Sequence, residues 1–237
     1  MNDRPDTVAP TPESNATLGA TGRSQSGSAR GLSATKNWFE VSLVFLLIMV
    51  AVWTPMGRVN AAANLLAVVS ILWFTARGSY SLRELGFTVP ARGTLITLGL
   101  GIALAAMVAA SGAFLRPIFG SAHAVPIHRA WMYAIWALEQ EFILQSFFYL
   151  RLESVLGHRR AVWFAGSLFA AAHVPSPVLT VLGFFGALLF CELFHRYRAL
   201  LPIALAHALL GLTIAASLPD SVLHHMRVGI GYVMYHP

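Results

Sequence analysis

The chain has 237 residues, of which 57% are hydrophobic and 11% charged, with a formal net charge of +6. A soluble domain carries roughly 25% charged residues to cover its surface, so a water-soluble enzyme and an acidic or low-complexity disordered chain are both excluded. The basic pI of about 10.1 raises nucleic acid as a partner, a point that the placement of the charges decides. A single cysteine, Cys191, excludes an internal disulfide and a multi-cysteine metal centre.

Residues 1–36 are rich in Ser, Thr, Ala, Gly and Pro and nearly free of large apolar side chains. Such a segment buries too little surface to offset chain entropy, which predicts a disordered tail. It is not a secretory signal, because Asp3 and Asp6 stand where positive charge is needed and no apolar core follows. Seven apolar segments come next, at 37–54, 60–76, 93–115, 130–152, 160–174, 177–195 and 199–217. A bilayer core of about 30 Å takes about 20 helical residues to cross, and the second and fifth segments are short of that. Pro175-Ser176-Pro177 separates the fifth from the sixth, since proline cannot continue a helix. Backbone groups in lipid must bond within their own segment, and the alternation of a β-barrel is absent. The expectation is an all-α polytopic membrane helix bundle of about seven transmembrane helices over 37–217. The short tail at 218–237 lies at the interface with Tyr232 and Tyr235.

Alternating the loops places twelve of the sixteen Lys and Arg on the side of the N-terminus and four, Arg58, Arg116, Arg129 and Arg227, on the other. By the positive-inside rule this predicts a cytoplasmic N-terminus in the plasma membrane. The basic excess is then a topology signal, and nucleic acid is not a partner.

Four of the ten acidic residues fall inside apolar segments: Glu40, Glu139, Glu141 and Glu192. A charged group at mid-bilayer costs about 2.5–3.5 kcal/mol or more, so such residues face the bundle interior and mark function by default. Glu40, near the start of its segment, is expected to reach the surface. Glu192 and His195 read as interfacial anchoring with Arg196 and Arg198, and His158 as a solvated loop residue. Glu139 and Glu141 lie near the middle of the fourth segment but about 200° apart on a helix, so one acts at a site while the other makes an interhelical contact or stays protonated. Glu141 and Gln145 share a face, as do Phe169 and His173 in the fifth segment. His207 is a second intramembrane histidine, in the seventh. By residue counting His173 lies toward the outer end and His207 toward the cytoplasmic half, so the two meet only if the helices are tilted or offset.

One carboxylate and two imidazoles in a low-dielectric cavity can activate water and stabilise an oxyanion, which supports peptide hydrolysis without a covalent nucleophile. Zinc also accepts His and Glu ligands; the preferred reading assigns no metal and no cofactor. His-Glu-x-x-His, Gly-x-Ser-Gly and Gly-x-Gly-Asp motifs are absent.

Gln140-Glu141-x-x-x-Gln145, Phe169-x-x-x-His173 and His207-x-x-x-Gly211 resemble, in order and spacing, the three motifs of the CAAX protease and bacteriocin-processing (CPBP, or Abi) family of glutamic intramembrane proteases. Those motifs are Glu-Glu-x-x-x-Arg, Phe-x-x-x-His and His-x-x-x-Asn. Ser81–Phe87 resembles the segment that precedes the family core, so the likeness covers about 78–212. It implies an endopeptidase acting on membrane-associated or lipidated proteins within the bilayer. Its water would be activated by a glutamate (Glu141, or Glu139 one position before the motif) and His173, with His207 polarising the scissile carbonyl. Gln140, Gln145 and Gly211 depart from the motifs, which keeps a catalytically inactive scaffold protein as an alternative. A proton-coupled transporter using the midplane acids is the other, although similar inverted halves are absent.

Overall fold

The computed structural model describes residues 14–119 and 126–235. It is helical throughout: α1 Ser14–Trp53, α2 Arg58–Arg77, α3 Ala91–Phe119, α4 Ile127–Glu141, a π-helical segment Phe142–Tyr149, α5 Leu150–Leu156, α6 His158–Ala171, α7 Pro177–Tyr197, α8 Leu200–Ser217, and two short helices, α9 Asp220–Leu223 and α10 Gly229–Val233. Five helical stretches are long and apolar enough to cross a membrane: Ser33–Trp53, Arg58–Arg77, Ala91–Pro117, Pro177–Tyr197 and Leu200–Ser217. Most of each such window is unburied within the protein, so side chains such as Leu46, Leu65, Phe114 and Phe185 face outward, where lipid is their solvent. The chain is an integral membrane protein of all-α polytopic architecture.

The two other expected spans are built differently. The fourth is a composite rod in which α4, the π segment and α5 follow without a break. The fifth is α6, with only 14 residues, or about 21 Å at 1.5 Å per residue. At the N-terminus, α1 begins at Ser14, inside the segment expected to be disordered. Extending an existing helix adds a hydrogen bond per residue without a second nucleation cost, so composition alone did not place the boundary. The segment 218–237 carries α9 and α10, and the Gly229 N–H donates to the Val174 carbonyl at 2.9 Å, returning the chain to the α6–α7 turn.

Lipid tails are as apolar as leucine, so burial from water does not hold these helices together; close packing and polar contacts do. Along the α3–α8 seam the missing side chain of Gly101 admits Ala206, and that of Gly112 admits Ser217. The polar contact is Glu40 with Arg151. Both are buried, and the Arg151 Nε donates to Glu40 Oε2 at 2.6 Å while its guanidinium lies 3.8 Å over the Phe147 ring. Glu40 therefore does not reach the surface as the sequence suggested. A buried arginine on the composite rod offers a stronger partner than the interface does.

The turn at Ser81–Phe87 clips the site helices together. The Ser146 hydroxyl donates to the Leu85 carbonyl at 2.7 Å, and the Gly86 carbonyl accepts from the Leu200 N–H at 2.9 Å, which fixes the start of α8. Gly86 has φ +86° and lies against Phe194 and Leu200. Any other residue would be both strained and obstructed there.

Candidate active site

The π segment begins directly after Glu141. Such widened turns are rare and concentrate at functional sites. Glu141 is fully buried, with 0% exposure. Its Oε1 lies 2.7 Å from His207 Nδ1 on α8, and its Oε2 accepts from Gln145 Nε2 at 3.0 Å. A carboxylate oxygen accepts, so the His207 proton in this contact sits on Nδ1, and Nε2 has no protein partner among the described residues. Phe190 stacks on the His207 ring with centroids 5.9 Å apart.

His173 lies in the turn after α6. Its Nδ1 is 2.7 Å from the Phe169 carbonyl. A carbonyl only accepts, so the proton sits on Nδ1 and Nε2 keeps a free lone pair. The Phe169 ring spans the gap between the histidines, with centroids 4.6 Å from His173 and 6.1 Å from His207. The depth mismatch expected from counting residues therefore does not keep them apart. With only 14 residues, α6 ends early enough to bring His173 beside the Phe169 ring that His207 also meets. Ser176, at the N-cap of α7, accepts from the Leu179 N–H, and Pro177 supplies the first helical turn.

A cavity of about 560 Å³ opens on these groups. Glu139, Gln140, His173, His207 and Gly211 lie on its wall, among mainly apolar residues. Glu141 and Gln145 lie behind that wall. The two glutamates thus separate as the helical angle requires: Glu141 points toward α8, while Glu139 is exposed on α4 and has no partner among the described residues. Tyr133 also lines the cavity, with its ring 6.4 Å from that of His207. Sequence reading passed over it, although it stands two turns before Glu141 on the same helical face.

A second polar group lies at the end of the bundle where α5, α6 and α7 meet. The Tyr149 hydroxyl is 2.7 Å from Glu153 Oε1, 2.9 Å from His158 Nδ1 and 3.1 Å from His195 Nδ1. Arg198 Nη2 donates to Glu153 Oε2 at 2.6 Å. Burial raises the Glu153 carboxyl, but the Arg198, Tyr149 and His195 contacts outweigh it and hold the group below its ordinary value. His158 Nε2 and Arg196 both reach Glu192. His158 is therefore part of this group rather than a solvated loop residue, and Glu192 pairs with Arg196 and His158 while Arg198 serves Glu153. Among the described residues, Glu153, His158 and His195 are the set whose donor atoms come close enough to hold a metal ion. Their geometry favours hydrogen bonding instead. The two imidazoles stack 3.7 Å apart at 22°, so their in-plane lone pairs run side by side, and the tyrosine hydroxyl already fills the point where they meet.

Residues 122–213 match the family model described as Type II CAAX prenyl endopeptidase Rce1-like. No curated protein matches the chain. The matched stretch runs from α4 through α8 and contains Glu139, Glu141, His173, His207 and Gly211, the residues gathered around the cavity. Over these residues the chain is similar to the Rce1-like CAAX prenyl endopeptidases, within the CAAX protease and bacteriocin-processing family whose motifs its sequence resembles.

Proposed function

We propose that this protein is an intramembrane endopeptidase that hydrolyses peptide bonds of membrane-associated or lipidated proteins. The observation that carries this reading is the convergence of Glu139, His173 and His207 on one mainly apolar cavity within an Rce1-like segment. The apolar wall suits a hydrophobic peptide or a lipid-modified chain end. Glu139, unpartnered on the wall, takes the proton of the attacking water. His173 accepts a hydrogen bond from the same water through its free Nε2 and orients it. Glu141, behind the wall, fixes the His207 ring and stabilises positive charge on it, as the acid of a catalytic triad does for its histidine. The His207 Nε2–H then polarises the scissile carbonyl. The twelve-to-four distribution of basic residues supports a cytoplasmic position for the Tyr149 end of the bundle, in the plasma membrane.

The test is cleavage of a library of membrane-anchored peptides, with and without prenyl groups, by the purified full chain in lipid. Wild type is compared with Glu139→Gln, Glu141→Gln and His173→Ala. The reading expects losses in all three, and unchanged cleavage throughout would end it. A non-catalytic scaffold protein cleaves nothing in this assay, and a proton-coupled carrier instead gives pH-driven flux in the same vesicles.

A further inference from the structure

Tyr133 is one of three polar side chains on the cavity wall, with Asn64 and Gln140, for which the scheme above has no use, and of the three it lies against the α8 backbone beside His207. Tyr133, Ala137, Glu141 and Gln145 recur every four residues and form one stripe of the composite rod. This stripe faces α8, where His207 and Gly211 are one turn apart. Glu141 meets His207, and Tyr133 meets Gly211. A Cβ at 211 would lie 2.6 Å from Tyr133 Cε1 and would overlap the hydroxyl itself, so glycine is what lets the phenol rest against the α8 backbone. The hydroxyl has no hydrogen-bond partner among the described residues. Tyr133 is part-buried, and tyrosine hydroxyls withdrawn from water normally find one. Tyr133 also borders a second cavity, lined on its far side by Pro126, Arg129 and Leu218, so it forms part of the partition between the two.

We propose that Tyr133 is a further catalytic residue, whose hydroxyl donates a hydrogen bond to the scissile carbonyl oxygen. The inference rests on the hydrolase reading above. In the addition step the water oxygen bonds to the carbonyl carbon, its proton passes to Glu139, and the π pair of the C=O bond moves onto oxygen. The Tyr133 O–H and the His207 Nε2–H donate to that oxygen without transferring their protons. On collapse the carbonyl reforms, the C–N bond breaks, and the proton held by Glu139 goes to the departing amine nitrogen. A donor fixed beforehand beside the place where charge develops needs no reorganisation during the reaction.

The experiment compares Tyr133→Phe with wild type on the best cleaved peptide of the library. The ring and its packing on Gly211 remain, and only the hydroxyl is lost. The expected result is a fall in kcat of about 10²–10³-fold, the usual effect of removing one oxyanion donor, with KM little changed. A second variant, Tyr133→Ala combined with Gly211→Asn, removes the ring and supplies an amide donor from α8. It is expected to exceed Tyr133→Ala alone in kcat by at least about tenfold. If Tyr133→Phe keeps wild-type kcat while His173→Ala loses it, the role of Tyr133 is overturned and the hydrolase reading stands. A wild type that cleaves no peptide overturns both.

Discussion

Two groups of glutamate and histidine sit in one bundle, built from neighbouring helices, and they are finished differently. Around Tyr149 both oxygens of Glu153 and both nitrogens of His158 have protein partners, and the imidazoles are stacked on each other. Around the cavity, His173 and His207 each use one nitrogen on the protein and keep the other, while Glu139 and the Tyr133 hydroxyl have no partner among the described residues. The first group has spent most of its hydrogen-bonding capacity on the fold, with Arg198 Nη1 left over. The second holds capacity in reserve beside a space large enough for another molecule. Residue type does not separate a structural cluster from a reactive one; the count of unspent donors and acceptors does.

The contrast can be broken by substitution. His173→Ala is expected to lower kcat about 10²–10⁴-fold with the thermal midpoint in lipid little moved. Arg151→Ala leaves buried Glu40 with only the distant Lys36 ammonium, 3.8 Å away, and is expected to cost about 3–5 kcal/mol of stability, read as a lower denaturation midpoint. Replacing both, with Glu40→Leu and Arg151→Met, should recover most of that loss. Tyr149→Phe removes the hub of the first group and is expected to cost about 1–3 kcal/mol while cleavage is unchanged. An effect on kcat equal to that of His173→Ala would erase the distinction between the two groups. The smallest effect is expected from pH. The folded Glu153 carboxyl is held below its ordinary value, so its contribution is complete above the unfolded carboxylate range and is lost as pH falls through the lower folded value. A thermal midpoint that falls on acidification below about pH 4.5, and falls less in Glu153→Gln, would match that sign.

The fold class and the glutamates and histidines proposed for the site were legible in the sequence for physical reasons. Lipid tolerates only helices and closed barrels and demands a reason for each polar side chain, so Glu141, His173 and His207 stood out against their apolar surroundings. Two things were hidden. Partner choice among charges depends on which helices touch, so Glu40 was assigned to the interface although Arg151, distant in sequence, lies beside it. Tyr133 was hidden because a tyrosine in a membrane span is unremarkable in itself, and its meaning depends on the bare α8 backbone at Gly211. The division between Glu139 and Glu141 was half legible. Their angular separation was fixed by helix geometry, but which of them met α8 required the packing of the composite rod.

The shortness of α6 bears on a separate difficulty for any hydrolysis inside a bilayer, the supply of water. A helix of about 21 Å falls about 9 Å short of a 30 Å hydrocarbon core. Lipid beside so short an element adapts by thinning. The backbone of the turn after α6 is hydrogen-bonded within the protein, so the group there that can hold water is the His173 ring, through its Nε2. A partial span of this length would let the membrane thin beside it and so shorten the path from bulk solvent to the free Nε2 of His173, while the longer helices keep the rest of the barrier at full thickness.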